Sequence, residues 1–138
     1  MHSIKRLMVL VATIAALTLA VSPAAASTPK SFYLDKTCAG DASEPLGYVC
    51  IVQHSDFKWI PPGTKVHYLS QDGNVVQAAI DIGNGSTRGS CVWSSDVDAV
   101  CTFDRGTGRL TEFRLVVLVT ANADQSIWYW NGTYRFGG

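Results

Sequence analysis

An antiparallel all-β domain of eight strands is what this sequence predicts, and two observations carry that prediction. From Ser27 onward no helical apolar period persists, while short runs rich in Val, Ile, Thr and aromatic residues alternate with Gly, Asn, Asp and Pro. Four cysteines, Cys38, Cys50, Cys91 and Cys101, fall into two pairs that each bracket a turn, the pattern of a small disulfide-tied domain. Eight is the smallest strand number that commonly closes into an up-and-down barrel. A two-sheet β-sandwich is the alternative architecture.

Residues 1–26 read as a secretory signal peptide. Lys5 and Arg6 precede an apolar run over 7–21, and Ser22-Pro23-Ala24-Ala25-Ala26 offers small residues for cleavage after Ala26. The run is short for a membrane span, so the expected product is one secreted, extracellular β-barrel domain, 27–138, without a membrane span. The chain carries 11 basic and 11 acidic residues; without Lys5 and Arg6 the domain keeps nine against eleven, a net of −2. It has no basic stripe for a phosphate backbone, so nucleic acid is not an expected partner.

Within the domain the candidate strands are 30–34, 48–55, 64–70, 75–82, 89–94, 99–104, 110–121 and 126–137. Pro61-Pro62-Gly63, Asp72-Gly73, Asn84-Gly85 and Arg105-Gly106-Thr107-Gly108 punctuate them. Register ties the later hairpins together. A short loop over Ser95, Asp96 and Val97 sets Cys91 opposite Cys101 and Val92 opposite Val100. Opposed positions in a non-hydrogen-bonded pair bring Cβ atoms within disulfide reach. Cys91–Cys101 is therefore expected, and Cys38–Cys50 by elimination.

A turn centred on Gly106-Thr107 would set Asp104 against Arg109 and Thr102 against Thr111. A four-residue loop over 122–125 would set Trp128 against Val119, Trp130 against Val117, Gly132 against Leu115 and Tyr134 against Phe113. On the other side it would set Glu112 against Arg135. The expected inner face then holds Val92, Val100, Phe113, Leu115, Val117, Val119, Trp128, Trp130, Tyr134 and Phe136, with Tyr129 outside.

The run CTFDRGTGRLTEF from Cys101, followed by WYWNGTYRF from Trp128, resembles the closing hairpins of the allene oxide cyclase and dirigent-like β-barrels. In that group a Gly-Thr-Gly turn leads into a long strand and a final strand closes the barrel. GNGSTRG, from Gly83 to Gly89, sits where such proteins have a glycine-rich turn. The resemblance covers Gly83 to Phe136. It implies an eight-stranded calycin-like barrel, often trimeric, with a small-molecule cavity in the enzymatic members. No catalytic residue carries over, because only turn and closing-strand positions match.

Direct searches for chemistry return little. The domain has no G-x-S-x-G elbow, and His54 and His67 sit on separate early strands as sheet-surface residues. Asp72, Asp81, Asp96, Asp98 and Asp104 mostly fall at strand ends, where aspartate serves turns. Glu112 reads as a mid-strand acid paired with Arg135 or Arg114. With no C-x-x-C and no histidine spacing for zinc, neither a metal nor a cofactor is expected.

What remains is aromatic. Trp128, Trp130, Tyr134 and Phe113 are the candidate walls of a cavity for a small apolar or aromatic ligand, with room left at Gly132. A cyclase or isomerase in the same cavity would need a polar group on the inner face, for which Tyr134, Thr102 and Thr111 are the candidates. The residues leave open whether any reaction is catalysed. The loop CAGDASEPLGYVC, tied at both ends, offers a third reading as an interaction or inhibitor surface. Tyr129, Leu118 and Val116 make an outward apolar patch, expected to seat a homo-oligomer, dimer or trimer.

Overall fold

The computed structural model describes residues 27–137; the signal-peptide reading of 1–26 lies outside the described residues. Eight strands follow in order: β1 (Lys30–Gly40), β2 (Tyr48–Ser55), β3 (Lys65–Asp72), β4 (Val75–Asp81), β5 (Gly85–Trp93), β6 (Ala99–Gly108), β7 (Phe113–Ala121) and β8 (Trp128–Phe136). Each is antiparallel to the next and β1 pairs with β8, so the sheet closes into a barrel with no free edge. The all-β class, the up-and-down closure and the disulfides Cys38–Cys50 and Cys91–Cys101 are those expected from the sequence. Closure rules out the sandwich.

Period-two alternation decides what fills the interior. Leu115, Val117 and Val119 on β7 point in, as do Val76, Ala78 and Ile80 on β4 and Phe32 and Leu34 on β1. Three register shifts, at the Asp35/Lys36, Tyr68/Ser70 and Arg88/Gly89 steps, interrupt the ladders. Such bulges sharpen the local twist and let a small sheet curl shut.

The sequence-derived registers need correction in two places, and the expected inner face in one. Thr102 lies opposite Val116, not Thr111, because β6 runs on to Gly108 alongside β5 and the chain turns over 109–112 instead. Gly108 and Glu112 take positive φ there, 56° and 63°. Glu112 is thus a turn residue and not a mid-strand partner of Arg135. Trp128 lies opposite Ala121 and Trp130 opposite Val119, a shift of two residues that leaves the faces intact. The loop is wider than four residues: Asn122 N–H donates to the Ile127 carbonyl at 3.1 Å, and Ile127 N–H returns to Asn122 Oδ1 at 2.9 Å. Finally, Val92 and Val100 face solvent. Directly bonded cysteines Cys91 and Cys101 occupy the inward positions beside them, and alternation forces the neighbouring valines out.

One end of the barrel is plugged. The β2–β3 connection folds Phe57 and Ile60 inward, and Leu110 enters from the β6–β7 turn. Phe57 stacks on Phe113 at 5.4 Å and lies 4.6 Å from Tyr134 and 5.8 Å from Phe32. Burying each such ring is worth roughly 1.5–3 kcal/mol. The other end is open.

Candidate functional site

The open end is a cup of about 590 Å³. Its wall comes from the last turns of β1 and β3, the first of β2 and β4, the end of β5, and the β5–β6 and β7–β8 loops. Tyr48 and Tyr68 stack at 5.0 Å on one side, and Trp93 and Trp128 meet edge to face at 5.7 Å on another. Gln71, Asn74, Ser94, Asp96 and Gln125 supply a polar rim.

At the floor stands Lys36, only 2 % exposed. Alternation puts it there: Phe32, Leu34 and Lys36 share the inward face of β1. Its Nζ donates to Tyr68 Oη at 2.9 Å and lies 3.9 Å from Cys38 Sγ. Three rings surround it, with Nζ at 5.1 Å from the Trp130 centroid, 5.4 Å from Tyr68 and 5.9 Å from Trp128. Among the described residues the ion pairs are His54–Asp35 and His67–Glu44, so no carboxylate pairs with Lys36. Desolvation brings its pKa from 10.5 down to about 7. Burial holds the neighbouring phenol of Tyr68 above its ordinary value, with the charge of Tyr48 adding to the effect. The pair is therefore an amine that can shed its proton near neutrality beside a hydroxyl that keeps its own.

The four aromatic residues singled out from sequence divide between the two ends. Trp128 lines the cup, and Trp130 lies under the floor, fully buried, with its indole N–H unpartnered. Phe113 and Tyr134 belong to the plug at the far end, 6.1 Å apart and packed on Phe57. The space beside Gly132 holds no ligand pocket, because a Cβ there would sit 1.9 Å from the Val116 carbonyl oxygen. The polar candidates move too. Thr102 lies on the outer wall and Thr111 in an exposed turn. Lys36, Tyr48, Tyr68 and Trp93 were the residues missed. Continuing the alternation of β1 past Leu34, and that of β5 past Cys91, would have found Lys36 and Trp93.

A second polar cluster sits outside the barrel. Tyr33 Oη donates to Asp35 Oδ2 at 2.8 Å, and His54 Nδ1 lies 2.9 Å from Asp35 Oδ1. Burial pushes the Asp35 carboxyl up, but the bonds to His54 and Tyr33 outweigh it and hold it below the usual range. The bond to Asp35 pushes Tyr33 up to about 12. His67 Nδ1, 2.8 Å from Glu44 Oε1, fastens the β1–β2 loop to β3. His54 and His67 are thus each held by a carboxylate, and neither lines the cup.

Set beside known proteins, the chain matches no family model, no curated protein and no solved structure.

Proposed function

We propose that this protein binds a small aromatic or apolar molecule in the open cup, with the ligand's polar group meeting Lys36 Nζ. The observation that carries this reading is a lysine without an acidic partner at the base of an aromatic-walled cavity. A packing role would be served better by an aliphatic side chain, since an unpaired ammonium buried among rings costs stability. The cup's volume falls in the ordinary range for small-molecule pockets, roughly 300–1,000 Å³. Trp93, Trp128, Tyr48 and Tyr68 would grip the flat body and Lys36 would set its orientation.

Two disulfides in so small a domain are compatible with an extracellular location, and we read the protein as secreted. A cyclase or isomerase of the allene oxide cyclase-like kind is the second reading. What favours it is the Lys36–Tyr68 pair, the buried polar group on the inner face that such chemistry needs. We also propose that the outer wall around Leu118 seats a second copy of the chain.

The test is tryptophan emission of the oxidised protein during titration with 8-anilinonaphthalene-1-sulfonate, cinnamyl alcohol and cinnamaldehyde. A saturable shift, with acrylamide quenching reduced by the ligand, is the expected result. Trp128→Ala should weaken the response roughly tenfold, in keeping with the loss of one aromatic contact. Emission indifferent to all three compounds would remove the reading. A bound compound recovered chemically changed would favour the isomerase.

A further inference from the structure

We propose that Lys36 is a covalent anchor: its ε-amine forms an imine with an aldehyde group carried by an aromatic or apolar ligand seated in the cup. The inference rests on the binding reading above and names the ligand class. Three features of the site converge on it. The amine stands at the closed base of the cavity, so a ligand inserted lengthwise would present its end group to Nζ. Among the described residues no carboxylate holds the amine as an ion pair, and its hydrogen-bonding neighbours are the Tyr68 hydroxyl and Cys38 Sγ. Four rings, Tyr48, Tyr68, Trp93 and Trp128, stand in the wall, so that a ligand body seated among them would keep water from a bond that water hydrolyses.

The groups facing Nζ come from several elements. Tyr68 of β3 is in contact, Tyr48 of β2 stacks behind it, Trp128 and Trp130 of β8 lie opposite, and the disulfide Cys38–Cys50 closes the side. Asp96 is the acid of the rim. Desolvation by these surroundings leaves a substantial neutral fraction of Lys36 near pH 7, and the neutral amine is the nucleophile.

The step balances without an oxidant or reductant. The Nζ lone pair forms a C–N bond to the carbonyl carbon, and the carbonyl π pair moves to oxygen. The proton lost by nitrogen goes to that oxygen, with the Tyr68 hydroxyl, 2.9 Å from Nζ, placed to relay it. The carbinolamine then expels its hydroxyl as water, taking up the second proton of the original amine, and C=N forms. One amine and one aldehyde give one imine and one water.

The experiment uses the oxidised protein with cinnamaldehyde at neutral pH, trapped by sodium cyanoborohydride and located by peptide mass mapping. Cinnamyl alcohol, which has the same body and no carbonyl, is titrated in parallel by tryptophan emission. The expected product is a secondary amine at Lys36, heavier than the protein by the aldehyde's mass less one oxygen. It should form roughly tenfold or more faster than adducts at the exposed Lys30, Lys58 and Lys65. Lys36→Arg should abolish that adduct. Should the variant fail to fold, the map of the wild-type protein decides by itself. Saturable emission changes with both compounds and no adduct at Lys36 would overturn the covalent anchor and leave the binding reading standing. Adducts confined to exposed amines would do the same. Neither emission change nor adduct would remove both.

Discussion

Burying an ammonium group whose nearest polar partner is a phenol costs stability unless the proton leaves, and Lys36 therefore couples folding to pH. Its pKa is 10.5 in the unfolded chain and about 7 in the fold. Between those values the unfolded chain holds a proton that the folded one lacks, so stability rises with pH across the window. Below about pH 7 both states are protonated and the penalty is full; above 10.5 both are neutral and it vanishes. Burial raises both Tyr68 and Tyr48, which favours the neutral phenol in each. Lys36→Met should therefore exceed the wild type by a few kcal/mol, on the order of 2–5, near pH 6 and lose most of that margin near pH 10. Urea unfolding of both proteins at the two pH values measures it. A margin that does not change with pH would mean that the folded lysine keeps its ordinary proton affinity. Residue identity alone did not reveal this site. A single lysine in Phe-Tyr-Leu-Asp-Lys reads as the end of a strand, and only an unbroken alternation shows that it points inward.

At the scale of elements, legibility followed the loops. The β5–β6 register was readable because a short loop and two cysteines fix it from both ends, and Cys91 does pair with Cys101. For β6–β7 the expected pairing was off by an odd number of residues, Thr102 meeting Val116 and not Thr111, and Val100 and Thr102 changed faces with it. For β7–β8 the period-two pattern gave the right inward residues from Phe113 to Phe136, but a slip by two preserves every face. Sequence pattern cannot detect such a slip. What fixes it is loop geometry, including Gln125 at φ 57° in the β7–β8 loop. Gly132 shows how tightly the corrected register is set. A Cβ there would lie 1.9 Å from the Val116 oxygen and 2.8 Å from the Val117 Cα, both backbone atoms that cannot swing away. Gly132→Ala should force β7 and β8 apart and cost about 1–3 kcal/mol or more. Gly40→Ala, whose added methyl would meet only the Gly47 oxygen at 3.9 Å, is the control and should unfold within about 0.5 kcal/mol of the wild type. Equal denaturation midpoints for both variants would contradict the β7–β8 register.

Over the whole molecule, the outer wall divides into bands that the sequence disclosed only in part. Leu118 and Val116 were expected outside and are, with exposures of 59 % and 36 %, whereas Tyr129 is half-buried. Val92 and Val100 replace it, at 48 % and 43 %, and the pairings Val92↔Val100 and Val100↔Leu118 make one apolar row across three strands. Towards the open end lie Asp96, Asp98 and Asp124, all exposed. Towards the plugged end Arg88 faces Arg105 and Arg114 faces Arg135, like-charge pairs that repel when nothing covers them. A second copy turned end for end about a twofold axis through the row would bury valine and leucine on themselves. It would also bring each acidic rim to the other copy's arginines, an isologous contact that relieves both repulsions. Such a dimer should form at micromolar concentration and low salt, weaken as salt screens the flanking charges, and be lost in Leu118→Lys, which sets two ammonium groups beside the axis. Sedimentation equilibrium at two ionic strengths tests all three. A monomer at every concentration in low salt would sink the pairing, and a dimer indifferent to salt would keep the apolar row and discard the role given to the arginines.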